Sequence, residues 1–202
     1  MKLICIGRNY VKHIEELGNE KPESPIIFLK PDSSLIINND PFYYPEFSSE
    51  IHYEVEILVK IKKVGKSIPV NFAHKYYDRI GLGIDLTARD LQNKAKTKGL
   101  PWDLAKGFNG SAPISHFIPK DPFNVRNLNF SLKLNGNTVQ SSNTSLMLWP
   151  IDEMIAYISQ YMTLKKGDIL FTGTPEGVGP IKIGDQLEGF IESQNMFDFE
   201  IR

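Results

Sequence analysis

The sequence predicts a β-rich α+β fold with few short helices, in a single domain covering residues 1–202. Three observations predict it. Apolar runs are short and end at Gly or Pro, as strands bounded by turns do. Only a few stretches carry helical periodicity. No repeat, low-complexity tract or charge block divides the chain, and 202 residues suffice for one sizeable core but not for two full domains.

In order along the chain, Leu3-Ile4-Cys5-Ile6 is a buried strand stopped by Gly7. Val11, Ile14 and Leu17 recur every three residues ahead of Gly18, which predicts a short helix. Residues 19 to 25 form a polar loop with two prolines. Residues 26 to 30 are a strand ended by Pro31, and 32 to 50 are loops around a short strand at Leu35-Ile36-Ile37. His52-Tyr53-Glu54-Val55-Glu56-Ile57-Leu58-Val59-Lys60-Ile61 reads as one strand, ending near Gly65. Residues 71 to 77 are a short helix. Residues 80 to 86 are a strand whose two glycines indicate a bulge or a close backbone approach. Residues 87 to 98 are a helix, with a capping-box-like start at Thr87 and Asp90 and a stop at Gly99. Pro101-Trp102 opens an irregular stretch. Residues 128 to 141 are a hairpin turning at Asn135-Gly136. Residues 151 to 161 are an amphipathic helix behind Pro150. A strand at 168 to 171, a glycine-rich loop at 172 to 180, and strands at 187 to 191 and 196 to 201 complete the chain.

A net charge of -1 gives no reason to expect nucleic acid or an acidic membrane as partner. The one cysteine, Cys5, excludes an internal disulfide framework and a Cys-based zinc site; in its apolar run it reads as a small core residue. No apolar run is long enough to span a bilayer, and no export signal is present, so a cytoplasmic location follows by default.

Five features bear on chemistry. Glu54 and Glu56, two apart on a strand, share a face about 7 Å apart. Two carboxylates on one face of an apolar strand are costly unless paired, and a hard cation would pair them; a solvated edge strand fits the same residues. His13 and Glu16, three apart on a helix, suit either a general acid–base pair or a surface pair. Asp85, at the end of an apolar run, is either a ligand or a helix N-cap. Lys106 beside aromatics reads as a snorkelling lysine. The loop Thr172-Gly173-Thr174-Pro175-Glu176-Gly177-Val178-Gly179-Pro180 lacks the Gly-Lys-Ser/Thr ending of a P-loop and misses the GxGxxG spacing, yet its N–H groups and hydroxyls could hold a carboxylate, or it is a tight structural loop.

Taken in order, Gly7-Arg8-Asn9-Tyr10 with His13 and Glu16, Phe28-Leu29-Lys30-Pro31, His52-Tyr53-Glu54-Val55-Glu56, Gly83-Ile84-Asp85-Leu86-Thr87-Ala88-Arg89-Asp90, Leu100-Pro101-Trp102 with Ala105-Lys106, and Thr172-Gly173-Thr174-Pro175 with Gly177-Val178-Gly179 resemble the fumarylacetoacetate hydrolase family. The likeness is to its short acylpyruvate hydrolase and oxaloacetate decarboxylase type and covers nearly the whole chain. It implies the family's mixed β-roll, similar to the fumarylacetoacetase C-terminal domain, usually as a homodimer. It implies Glu54, Glu56 and Asp85 as ligands of Mg²⁺ or Mn²⁺, and oxygen-only ligands suit a hard octahedral cation. It implies Lys106, His13 and Glu16 as catalytic residues, the last two on a lid. Arg8, Arg89, Gln92 and Thr174 are implied to hold a keto-acid substrate.

The activity implied is cleavage of C–C bonds in 2,4-diketo or β-keto acids, as acylpyruvate hydrolysis or oxaloacetate decarboxylation, through a metal-stabilised enolate. Isomerisation or tautomerisation of a 2-hydroxy-dienoate or of oxaloacetate would use the same intermediate. A non-catalytic small-molecule binder is the competing class; it has no need of the base that the intact dyad supplies. Lys60 and Asn109-Gly110-Ser111 depart from the family pattern, and neither is expected to touch a ligand position.

Overall fold

The computed structural model describes residues 1–202. Its largest sheet has six strands, in the order Ile26–Lys30, Leu3–Gly7, Ile169–Phe171, Val55–Ile61, Tyr77–Ile84 and Ile118–Pro119. The pair Leu3–Gly7 and Ile169–Phe171 is parallel; its other pairings are antiparallel. A four-stranded antiparallel sheet runs Asn137–Asn143, Asn129–Leu134, Gln186–Ile191, Gln194–Glu200. The strand-rich mixed architecture is as expected. So are the hairpin turn at Asn135-Gly136, the helix Ile151–Tyr161 and the buried, unpaired Cys5. Ile151, Met154, Ile155 and Ile158 form the buried face of that helix. No helix is long and apolar enough to cross a membrane.

The strand of the two glutamates differs from expectation. It is two strands, Ile51–Tyr53 and Val55–Ile61, broken at Glu54. Val55–Ile61 is a buried inner strand of the large sheet, not a solvated edge, which is why apolar residues fill both its faces. Ile51–Tyr53 belongs to a separate three-stranded sheet, between Gly179–Pro180 and Thr87–Ala88. Two adjacent chains leave the large sheet together: Val55 pairs with Ile84, and Asp85 N donates to Glu54 O at 2.8 Å. In that register Asp85 falls across from Glu54, and Glu56 lies two residues along the same strand, so the three carboxylates share one face.

Thr87 is in a strand and caps nothing; the helix is Arg89–Lys98, its N-cap position is Ala88, and Gly99 stops it. Thr87 Oγ1 bonds Asp85 O, and Asp90 accepts from Ser48 and Ser49, so both side chains are already engaged. The helix expected over 71 to 77 is shorter, Val70–Ala73. The stretch after Trp102 contains a helical turn, Asp103–Lys106. The glycines of Tyr77–Ile84 mark a close approach rather than a bulge: a Cβ on Gly83 would meet Leu58 Cδ1 at 2.8 Å and Pro113 O at 3.0 Å.

Candidate active site

Nine of the ten residues singled out in the sequence line one cavity of about 40 Å³: Arg8, His13, Glu54, Glu56, Asp85, Arg89, Gln92, Lys106 and Thr174. The tenth, Glu16, stands behind His13, with its Oε2 3.3 Å from His13 Nδ1 and its Oε1 accepting from Gly177 N at 3.0 Å. The pair is no surface ornament, since His13 is buried.

Glu54, Glu56 and Asp85 are 5%, 2% and 1% exposed, and their ligand oxygens lie within 4.8 Å of one another. Lys106, fully buried rather than snorkelling, donates to Glu54 Oε2 at 2.8 Å, Asp85 Oδ2 at 2.7 Å and Thr87 Oγ1 at 2.5 Å. Arg89 donates to Glu54 Oε1 at 2.5 Å and to Gln92 Oε1 at 2.6 Å. Burial pushes the Glu54 carboxyl up, but Lys106 and Arg89 overcome this and hold it well below the carboxylate range. Glu56 is different. It accepts one backbone bond, from Gly173 N at 2.7 Å, and burial followed by the Asp85 charge pushes its carboxyl well up. Gly173 is needed for that bond: its φ is +94°, and a Cβ there would meet Asn9 Cβ at 2.7 Å. Burial pushes His13 down, with Glu54 and Glu16 opposing, which favours the neutral ring.

Oxygen-only donors, an ionised Glu54, a Glu56 that lacks a cationic partner, and an Asp85 Oδ1 without a directed hydrogen bond suit a hard divalent cation. Lys30 Nζ is 2.7 Å from that Oδ1, close enough for an ion pair. Lys30 also donates to Ser111 O and Oγ, Leu86 O and the Lys106 carbonyl, so its ammonium is shared among several acceptors. Ser111 bonds no candidate ligand itself; Lys30 stands between it and Asp85.

Lys30, Lys96 and Gln140 carry no expected role, yet all three adjoin the site. Lys30 ends a strand and is buried under the triad. Lys30→Met would leave Asp85 and several carbonyls without their cation, and is expected to destabilise the fold by about 3–5 kcal/mol, read by urea denaturation. Lys96 lines the cavity one helical face along from Arg89 and Gln92 and makes no ion pair; its Nζ sits 5.9 Å over the Trp102 ring. Four cationic side chains thus line the cavity with three carboxylates, before any metal is counted. Arg8 holds a left-handed backbone, φ 58°, a strained conformation common at functional sites.

A carboxylate triad, a buried lysine and a neutral histidine in one cavity define a class: enzymes built around a divalent cation that take small anionic substrates. The chain belongs to the fumarylacetoacetate hydrolase family, whose profile, Fumarylacetoacetate (FAA) hydrolase C-terminal, matches residues 2–201. It is 42% identical over 207 residues to the mitochondrial oxaloacetate tautomerase of Arabidopsis thaliana, covering 100% of this chain and 92% of that one. It is 41% identical over 206 residues to the mitochondrial oxaloacetate decarboxylase of Dictyostelium discoideum, covering 100% and 94%. Its structure is similar to fumarylpyruvate hydrolase from Pseudomonas aeruginosa in complex with Mn²⁺ and pyruvate, with a TM-score of 0.94 and 32% identity over 100% of this chain and 89% of that one.

Proposed function

We propose that residues 1–202 act as one catalytic domain, a divalent-metal-dependent enzyme of 2-keto acids that enolise at C3, with oxaloacetate tautomerisation and decarboxylation as its reactions. One observation carries the reading: a histidine held neutral shares a cavity with the carboxylate triad and Lys106. The relatives named for oxaloacetate support the choice of substrate.

Bound at Glu54, Glu56 and Asp85, Mg²⁺ or Mn²⁺ would supply Lewis acidity toward a keto acid's oxygens. The rest falls to the chain. Lys106 holds a full positive charge where the C2 oxygen becomes anionic, since the Asp85 and Glu54 charges outweigh burial and push its ammonium up. Glu16 accepts from Nδ1 of His13, so Nε2 is the basic nitrogen; it takes the C3 proton and returns it to carbon or oxygen. Thr174, Arg8 and the amide nitrogen of Gln92, which has no partner within the chain, orient the substrate. Arg89 acts through Glu54, which it grips directly. Phe28 and Trp102, packed edge to face with centroids 6.0 Å apart, wall off water.

A cavity of about 40 Å³ is far below the roughly 300 Å³ and more of small-molecule sites. His13, Leu17 and Asn19 cover it, which supports a lid over about residues 13 to 25 that opens to admit substrate.

Hydrolysis of 2,4-diketo acids is the second reading, with His13 activating water. It is favoured by an apolar groove of about 420 Å³, between Ile26–Leu29 and Leu100–Trp102, that adjoins the cavity at Phe28, Trp102 and Lys106 and has room for an acyl group. Exposed Leu29 and Leu100 on that groove, with Leu104 80% exposed beside it, support a homodimer, tested by sedimentation. A cytoplasmic location completes the proposal, tested by cell fractionation.

Turnover of oxaloacetate, acetylpyruvate and a 2-hydroxy-dienoate with Mg²⁺ tests the function. Enol–keto exchange and CO₂ release from oxaloacetate are the expected result; binding without turnover of any of the three would make the chain a binder. Lys106→Met is expected to lower kcat far more than it raises KM, because its charge acts on the developing oxyanion. A normal kcat with a raised KM would reduce Lys106 to a binding group.

A further inference from the structure

Gln140 is a buried amide on the strand Asn137–Asn143, outside the sheet that carries Glu56 and outside the cavity. It nevertheless ties two halves of the site together. Its Oε1 accepts from Val55 N at 2.9 Å, the residue between the two glutamates. Its Nε2 donates to Thr174 Oγ1 at 3.0 Å and to Pro175 O at 3.0 Å. The amide's orientation is fixed by its neighbours. A backbone N–H can only donate and a proline carbonyl can only accept, so the oxygen faces Val55 and the nitrogen faces the glycine loop. Nε2 has two protons, and Glu176 O at 3.4 Å is a distant third claimant.

Thr174 Oγ1 is therefore an acceptor toward Gln140, and its own proton must point elsewhere. No acceptor within the chain takes that proton, and Thr174 lines the cavity beside Glu56 and Arg8. We propose that Gln140 is a positioning residue that commits the Thr174 hydroxyl to donating a hydrogen bond to a carboxylate oxygen of the substrate. A free hydroxyl can turn either way; with Gln140 filling its acceptor side, it offers the cavity a donor. The same amide clamps the backbone between the two glutamates, so the loop that receives substrate and the strand that carries the triad move as one piece. This deepens the 2-keto-acid reading of the cavity and rests on it.

The test is kinetic, at pH 8 and saturating Mg²⁺, with oxaloacetate as substrate and oxalate as inhibitor. Thr174→Val removes the donor and is expected to raise KM and the oxalate inhibition constant by about tenfold, the loss typical of a hydrogen bond to a charged group. Thr174→Ser recovers most of that loss. Gln140→Glu keeps an oxygen for Val55 N–H but presents a second acceptor to Thr174, so the hydroxyl proton turns away from the substrate. It is expected to match Thr174→Val, with kcat changed by less than about threefold, and the double variant is expected to be no worse than Thr174→Val alone. Gln140→Met, which leaves the hydroxyl free to rotate, is expected to raise KM by less; it answers the question should Gln140→Glu fail to fold.

Wild-type KM in both Gln140 variants, or additive effects in the double variant, would overturn the proposal. Thr174→Val with unchanged KM and oxalate inhibition would also overturn it while leaving the keto-acid reading intact. Should the wild-type protein turn over no oxaloacetate, that reading fails by itself, and calorimetric binding of oxalate to the Mg²⁺-loaded variants still decides the role of Gln140.

Discussion

Glu56→Ala is expected to remove Mg²⁺-dependent turnover of oxaloacetate and to weaken Mg²⁺ binding beyond the roughly 100-fold caused by losing a group that merely supports a ligand. Of the three carboxylates it is the one without a cationic partner: Glu54 has Lys106 and Arg89, Asp85 has Lys106 and Lys30, and Glu56 has a single backbone N–H. Its charge is the one that a bound cation must compensate.

The direction of its pKa gives the effect a pH signature. Burial, then Asp85, raises the folded Glu56 carboxyl above its unfolded value. A raised acid stabilises the metal-free fold below the unfolded pKa, near 4.5, and that contribution is lost as pH rises through the folded one. A cation must displace the Glu56 proton wherever pH lies below the raised value. Mg²⁺ affinity should therefore rise with pH, with proton release on binding, and the gain in Tm from Mg²⁺ should be larger at pH 8 than at pH 5.5. Calorimetry in buffers of different ionisation enthalpy measures the proton directly. In Glu56→Ala both the affinity and its pH dependence should collapse; unchanged affinity in that variant would remove Glu56 from the metal site.

How much of this was legible in the sequence depends on what each residue needed. The glutamates, Asp85 and the His13–Glu16 pair could be picked out by type and spacing as candidates, each with a structural alternative, whereas Lys106 read as a snorkelling lysine and gained a role only through the family resemblance. The convergence of the carboxylates could not be picked out. It depends on the pairing of Val55 with Ile84, which sets Asp85 across from Glu54. Local propensity contains no signal for that register, which joins two strands distant in the sequence.

Gln140 was hidden for a sharper reason. A two-residue turn at Asn135-Gly136 sets Leu134 against Asn137 and Lys133 against Thr138. Continued without interruption, that register pairs Leu132 with Val139 and turns Gln140 to the opposite face. The register slips between Leu132 and Lys133, so Leu132 pairs with Gln140, and one residue of slip exchanges the two faces. Lys30 was quoted within a motif but gave no sign of burial. A lysine at the end of an apolar strand reads as exposed until the carbonyls of Leu86, Lys106 and Ser111 close around it. The capping box at Thr87 failed similarly: a hydroxyl taken up by Lys106 and Asp85 O is not available to cap a helix.

His13→Ala should separate the reactions that need a base from the one that does not. Acylpyruvate hydrolysis requires a proton to be taken from water, and enol–keto exchange requires one to move at C3; a positioned base contributes about 10²- to 10⁴-fold to such steps. Decarboxylation needs only stabilisation of the enolate and a proton donor afterwards, which Lys106 and solvent can provide. Hydrolysis of acetylpyruvate and tautomerisation of oxaloacetate should thus fall by at least roughly 100-fold, while CO₂ release falls by less than about tenfold. Burial keeps the His13 ring neutral to lower pH than a free histidine, so the acid limb of kcat/KM in the wild type should lie below pH 6.5 and disappear from the residual activity of the variant. Glu16→Gln should weaken the same two reactions as well, since its amide offers one acceptor where the carboxylate serves both His13 Nδ1–H and Gly177 N–H, and it loses the charge that supports the imidazolium. Equal losses in all three reactions would mean that His13 serves a shared step, such as closure over the substrate, and not proton transfer. No loss in any of them would leave the buried pair with a purely structural part, holding the Val11–Glu16 helix against the glycine loop through Gly177.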